Sequence, residues 1–142
     1  MPAARDPYDL QRFLDAQRGA YLQVQTELRA GRKDSHWMWY IFPQIKGLGM
    51  SSMAQKYAIS CLDEAQAYLG HPLLGQRLEE CTKLVSAVQG RSIEEIFGYP
   101  DHLKFHSSMT LFAHAADDKR IYMDALGKYF RSEFDPQTIA RL

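Results

Sequence analysis

The chain has 142 residues, 46% hydrophobic and 12% aromatic, and its 17 basic residues balance its 17 acidic ones. That length suits one domain with a single core, and the zero formal charge removes the global field that would draw the chain to a nucleic-acid polymer or an anionic membrane. The N-terminal MPAARDPYDLQRF carries charge where a secretory leader needs an apolar run, and no run of about eighteen apolar residues occurs, so a cytoplasmic protein with no membrane partner is expected.

From Asp9 to Ala30 the apolar residues Leu10, Phe13, Leu14, Tyr21, Val24 and Leu28 recur at helical intervals, which predicts one long amphipathic helix capped by Asp9 and stopped at Gly31. Residues Leu62 to Leu69 form a second helix ending at Gly70. His71-Pro72 then opens a third, whose Leu74, Leu78, Cys81, Val85 and Val88 make an apolar face closed by Gly90. Ser92 and Glu95 fit a capping box before Ile96-Phe97, with Gly98 as the stop. Pro100-Asp101 opens a helix to about Ala115, Asp117 or Asp118 caps the next through Phe130, and Asp135-Pro136 begins a last short one. Period-2 strands are hard to find. The expected fold class is therefore all-α: one domain over residues 1–142, a compact bundle of about six to eight helices joined by short turns. Cys61 and Cys81 are expected to be small buried apolar groups, since a chain of this size needs no disulfide.

The densest chemistry lies in SHWMWYIFPQ, residues 35–44. Helical spacing sends Trp37, Tyr40 and Ile41 into the core, and Pro43 ends the segment. Its polar groups allow a second reading. Arg32 and Lys33 precede it, His36 lies within it, Gln44 closes it, and Gly47-Leu48-Gly49 with Ser51-Ser52 follows, a turn that lets backbone N–H groups approach an anion or simply joins two helices.

A second unusual segment, GYPDHLKFHSSMTLFAHA, carries Lys104, Ser107, Ser108 and Thr110 among apolar residues. Lys104, Ser107 and Ser108 share a face by the three-and-four rule, so their heads would converge and the lysine would neutralise a phosphate or carboxylate. Back-bonding to the preceding helical turn is the structural alternative for the hydroxyls. No nucleophile elbow or S-x-x-K order is present. His102 and His106 have zinc spacing, but Leu103 stands where a zinc-hydrolase helix has glutamate and no third ligand is specified, so surface histidines and no metal are expected.

The phrases DLQRFLDAQ, ELRAGRKDSHWMWYIFPQIKGLGMS, YAISCLDEAQAYLGHPLLGQRL, FGYPDHLKFHSSMTLF and FDPQTIARL resemble the bacterial domain-of-unknown-function family numbered 1810, whose members are often labelled calpastatin. The resemblance runs from about Asp9 to the C-terminus. It implies a compact all-α domain with no transferable activity and no cofactor. Calpastatin inhibitory segments are disordered and poor in aromatics, so that label does not suit this apolar periodicity. The family's emphasis matches Lys33, His36, Trp37, Trp39, Pro43, Gln44, His71, Pro72, Asp101, Lys104, Ser107, Ser108 and Thr110 here, while His102 and His106 fall outside it. Asp34 departs from its usual polar or basic residue.

These readings combine into one expectation: the 32–49 loop and the 104–110 helix meet in a pocket for a small anionic aromatic ligand, such as a nucleotide or a phosphorylated metabolite. Trp37 or Trp39 would stack, Lys33 and Lys104 would bring positive charge, and Gln44, Ser107, Ser108 and Thr110 would hydrogen-bond. The alternatives are an enzyme with His36 as general acid or base and a structural or protein-interaction module. The neutral charge balance permits self-association without arguing for it.

Overall fold

A computed structural model describes residues 5–142; the first four, part of the stretch read as too charged for a leader, lie outside them. Ten helices follow in order: α1 Gln11–Arg18, α2 Tyr21–Arg29, α3 Met38–Ile41, α4 Ser52–Lys56, α5 Leu62–Gly70, α6 Pro72–Ala87, α7 Ile93–Phe97, α8 Asp101–Ala115, α9 Arg120–Phe130 and α10 Pro136–Ile139. Six have eight residues or more, and the other four have four or five. Among the described residues there is no strand, only a single parallel bridge between Ile45 and Ile59. No described helix is long and apolar enough to cross a membrane.

α8 is the axis of the bundle. Phe105, Ser107 to Ala113 and Ala115 are all buried, so this helix is enclosed on nearly every side, as its mixed small, apolar and hydroxyl sequence permits. Helices α5, α7, α9 and α10 pack on it, while α2 and α9 pack on α6. Beneath the α7–α8 corner, Phe97 stacks on Phe105 with centroids 4.9 Å apart, and Phe42 meets Phe105 edge-on at 5.0 Å. Aromatic pairs of this kind add to simple burial.

Several helix ends follow the sequence. Ser92 and Glu95 form the expected capping box, and the Asp135 carboxylate accepts from the Thr138 N–H at 3.2 Å. His71 caps α6 through Nδ1, which accepts from the Leu73 and Leu74 N–H groups at 3.2 and 3.3 Å. At α9 the capping position falls instead to Lys119, without a side-chain cap, and Asp118 just before it accepts the Arg120 N–H at 3.1 Å.

Three further expectations are corrected. The single helix over 9–30 is two, broken at Gly19-Ala20, because a poor helix former lies between segments that pack on different partners, α1 on α3 and α2 on α6. Asp9 does not cap it: Asp9 has φ 51°, and Asp6 instead accepts the Leu10 and Gln11 N–H groups at 2.8 and 2.9 Å. Cys81 is buried, but Cys61 is exposed, since it precedes α5 on the solvent side of the turn that opens it.

The α5–α6 turn is drawn very tight. A Cβ placed on Gly75 would stand 2.1 Å from the Leu69 carbonyl oxygen, so only glycine lets these backbones approach.

Candidate functional site: a lysine–aspartate–tryptophan cluster

The 32–37 loop is organised from below by a buried carboxylate. Glu27 on α2 accepts the Asp34 N–H at 2.7 Å, the Ser35 N–H at 2.9 Å, the Ser35 hydroxyl at 2.7 Å and the Trp37 indole N–H at 3.0 Å. Burial alone would raise its pKa, but these donors outweigh burial and hold it at about 2. The Lys33 N–H donates to the Ile96 carbonyl at 2.7 Å, which ties the loop to α7.

That anchoring fixes the direction of Lys33. Its side chain, 7% exposed, places Nζ 2.7 Å from Asp101 Oδ2 and 5.2 Å from the centre of a Trp37 ring. Asp101 opens α8, where a carboxylate also suits the positive end of the helix dipole. One turn on, Lys104 Nζ lies 3.3 Å from Asp101 Oδ1 and 5.1 Å above a Trp39 ring. Two ammonium groups therefore share one carboxylate, each resting on a tryptophan, which leaves the cluster one positive charge in excess. Lys104 is the more exposed of the two, at 23%, and holds the longer ion pair.

Beside Lys104 is a crevice lined by Met38, Trp39, Phe42, Gln44, Ala54, Tyr57 and Lys104, with a volume of about 10 Å³. It is smaller than one water molecule's share of the liquid. Gln44 is held there because its carbonyl accepts the Ile59 N–H at 2.9 Å and the Lys46 N–H donates to Ile59 at 2.8 Å. The glycine turn folds back onto α4: a Cβ on Gly49 would lie 2.6 Å from the Ala54 Cβ. The Trp39 indole nitrogen is buried and, among the described residues, has no hydrogen-bond partner.

The structure thus brings Trp39, Gln44 and Lys104 together at the crevice, links Lys33 and the Trp37 beneath it to them through Asp101, and directs the other named residues elsewhere. Trp37 is 1% exposed and sits beneath the loop. Ser107 donates to Leu103 at 3.1 Å and to Asp135 Oδ2 at 2.9 Å. Thr110 donates to His106 at 2.9 Å and accepts the Asp135 N–H at 2.9 Å. These two hydroxyls fasten the segment before α10 to α8, and the heads of Lys104, Ser107 and Ser108 do not converge. Ser108 is fully buried and its hydroxyl has no partner among the described residues. His36 is exposed. His106 stacks on Phe130 at 4.0 Å and bonds the Glu133 carbonyl at 2.8 Å, while His102 contacts the Gly98 carbonyl at 3.3 Å. Among the described residues no group of three His, Cys, Asp or Glu side chains is placed to hold a metal.

Sequence reasoning missed Glu27. Its signal was a carboxylate between Val24 and Leu28 on the apolar face of α2, a position where a charge is kept only when several donors meet it.

Residues 7–142 match the family described as protein of unknown function (DUF1810). Among solved structures, the chain is similar to the conserved hypothetical protein Rv1873 from Mycobacterium tuberculosis, with 59% identity, 96% of this chain and 98% of that one covered, and a TM-score of 0.95. None of the curated proteins matches it.

Proposed function

The chain belongs to the DUF1810 family, and from its own geometry we propose that it binds a small anionic ligand with a flat face, a nucleotide or phosphorylated aromatic metabolite, at the Trp39–Gln44–Lys104 crevice. The observation that carries this is Lys104, whose ammonium group caps Trp39 while sharing Asp101 with the shorter-bonded Lys33. An anion arriving at the crevice takes the ammonium that Asp101 holds least firmly, and the vacated Trp39 face receives the ring. Lys33 stays on Asp101 and keeps the carboxylate neutralised.

The crevice must open to admit such a ligand. α4 forms one wall through Ala54, has five residues, and buries none of them, so displacing it costs few contacts. Gln44 supplies a carboxamide to the ring edge. Trp37, Ser107, Ser108 and Thr110 act behind the site, holding the loop and α8 in place, and His36 stands outside it.

A thermal-shift panel of nucleotides, nicotinamide-related metabolites and sugar phosphates tests this reading. A ligand at a hundred times its Kd adds about 2.7 kcal/mol, which moves the melting temperature by several degrees in a domain of this size. The gain should vanish in Lys104→Ala while that variant keeps its own cooperative melt. Equal shifts in both proteins would remove Lys104 from the site.

A further inference from the structure

At the C-terminal end of α8, about three turns from Lys104, is a second, roomier feature that the preceding reading does not use. A groove of about 610 Å³ runs between the α5–α6 turn and the α8–α9 turn, and Leu69, His71, Glu79, Asp117, Asp118 and Tyr122 are among its walls. Its volume is that of ordinary small-molecule sites. Among the described residues no lysine or arginine lines it, whereas three carboxylates do. Glu79 pairs with Lys83 at 2.9 Å and Asp118 with Arg120 at 2.6 Å, both highly exposed ion pairs that an incoming cation can replace at little cost.

The decisive group is Tyr122. Its side chain is 3% exposed and it lines the groove. Among the described residues its hydroxyl makes no hydrogen bond, and it is not one of the polar atoms sealed away from solvent. The hydroxyl therefore keeps contact with solvent on a nearly buried residue that lines the groove. Burial, and after it the nearby Glu79 charge, push the phenol's ionisation upward, so the group stays an intact O–H that both donates and accepts.

We propose that this groove binds an aliphatic polyamine, with Tyr122 Oη and Glu79 taking one ammonium, Asp117 and Asp118 a second, and the methylene stem lying against Leu69 and Ile121. A spaced cation fits better than a metal ion, because the carboxylates do not converge into a metal-holding group among the described residues. It also fits better than an anion, which would face three carboxylates in the lining, with Lys83 and Arg120 pairing to two of them from outside it. The α5–α6 wall is rigid where it matters: His71 is fixed by its bonds to Leu73 and Leu74, and Gly75 allows α6 to seat against Leu69.

Titration of isotope-labelled protein with spermidine, at ionic strength held constant with sodium chloride, tests this by amide chemical shifts. The expected result is saturable movement confined to residues 69–75, 79 and 115–122. Tyr122→Phe keeps the packing and Glu79→Gln alters an exposed side chain, and each should weaken binding by about fivefold, the worth of one hydrogen bond or screened contact. Magnesium producing the same shifts at the same ionic strength, affinities unchanged in both variants, or no saturable movement would each overturn the proposal. The outcome is independent of Lys104, which lies at the other site.

Discussion

The Trp37 indole N–H donates to Glu27 Oε1 at 3.0 Å, beneath the loop that carries Lys33. Because Glu27 also holds the Asp34 and Ser35 backbone amides, one carboxylate sets the backbone from which Lys33 reaches Asp101.

Glu27 makes stability depend on pH in a defined sense. Its folded pKa of about 2 lies below the ordinary 4.5, so its contribution is complete above pH 4.5 and is lost as pH falls toward 2. The shift corresponds to about 3 kcal/mol. Urea denaturation between pH 6 and pH 3 should show wild type losing stability across this window and Glu27→Gln losing less. Parallel pH curves for the two proteins would contradict the assignment.

Arg12 and Glu64 join α1 to α5. Their side chains meet at 2.8 Å and are only 14% and 2% exposed, and Arg12 also donates to the Lys56 and Ala58 carbonyls, each at 2.9 Å. Arg12→Ala leaves a buried carboxylate with, among the described residues, only Ser60 to hold it and should lose about 3 to 5 kcal/mol. Arg12→Lys should not recover the loss, because a lysine cannot form the fork that spans five acceptors, the carbonyls of Tyr8, Asp9, Lys56 and Ala58 and the Glu64 carboxylate. Denaturant midpoints of the two variants measure both effects, and a loss below about 1 kcal/mol for Arg12→Ala would contradict the first.

Gly75→Ala drives a methyl group into the Leu69 carbonyl, while Gly70→Ala, one turn away, meets nothing within 4 Å. The first should cost about 1 to 3 kcal/mol and the second far less, as read from their melting temperatures. Equal melting temperatures would mean that the α5–α6 turn relaxes freely.

Ser107→Ala removes one of the hydroxyls that hold Asp135, whose pKa is raised by burial but brought below its ordinary value overall by the Thr138 and Ser107 hydroxyls. A loss of about 1 kcal/mol, with faster amide exchange at residues 135–140, is expected if the contact is structural. Unchanged exchange there would show that α10 does not depend on Ser107.

Much of the fold was legible in the sequence because its punctuation is local. The Ser92–Glu95 capping box, His71-Pro72 and Asp135-Pro136 announce helix starts within a few residues, and each stands where expected. The break at Gly19-Ala20 was not read, since the apolar spacing continues in phase across it and one glycine only weakens a helix; the different partners of α1 and α2 turn that weak point into a bend. The meeting of the 32–49 segment with Lys104 depends on Asp101 as a shared acceptor, a tertiary fact with a family pattern but no local signature. The hydroxyls of Ser107 and Thr110 looked free for a ligand because their partner, Asp135, lies 25 or more residues away in sequence.

The most direct test of the central claim uses the two indole N–H resonances of the protein, because Trp37 is hydrogen-bonded to Glu27 and Trp39 has no partner among the described residues. Titration with nucleotides and phosphorylated aromatic metabolites should include one that moves the Trp39 signal saturably and leaves Trp37 nearly still. In Lys104→Ala that movement should weaken by at least tenfold in affinity, about 1.4 kcal/mol. A Trp39 signal that no member of the panel moves, or one that moves with the same affinity without Lys104, would contradict the account.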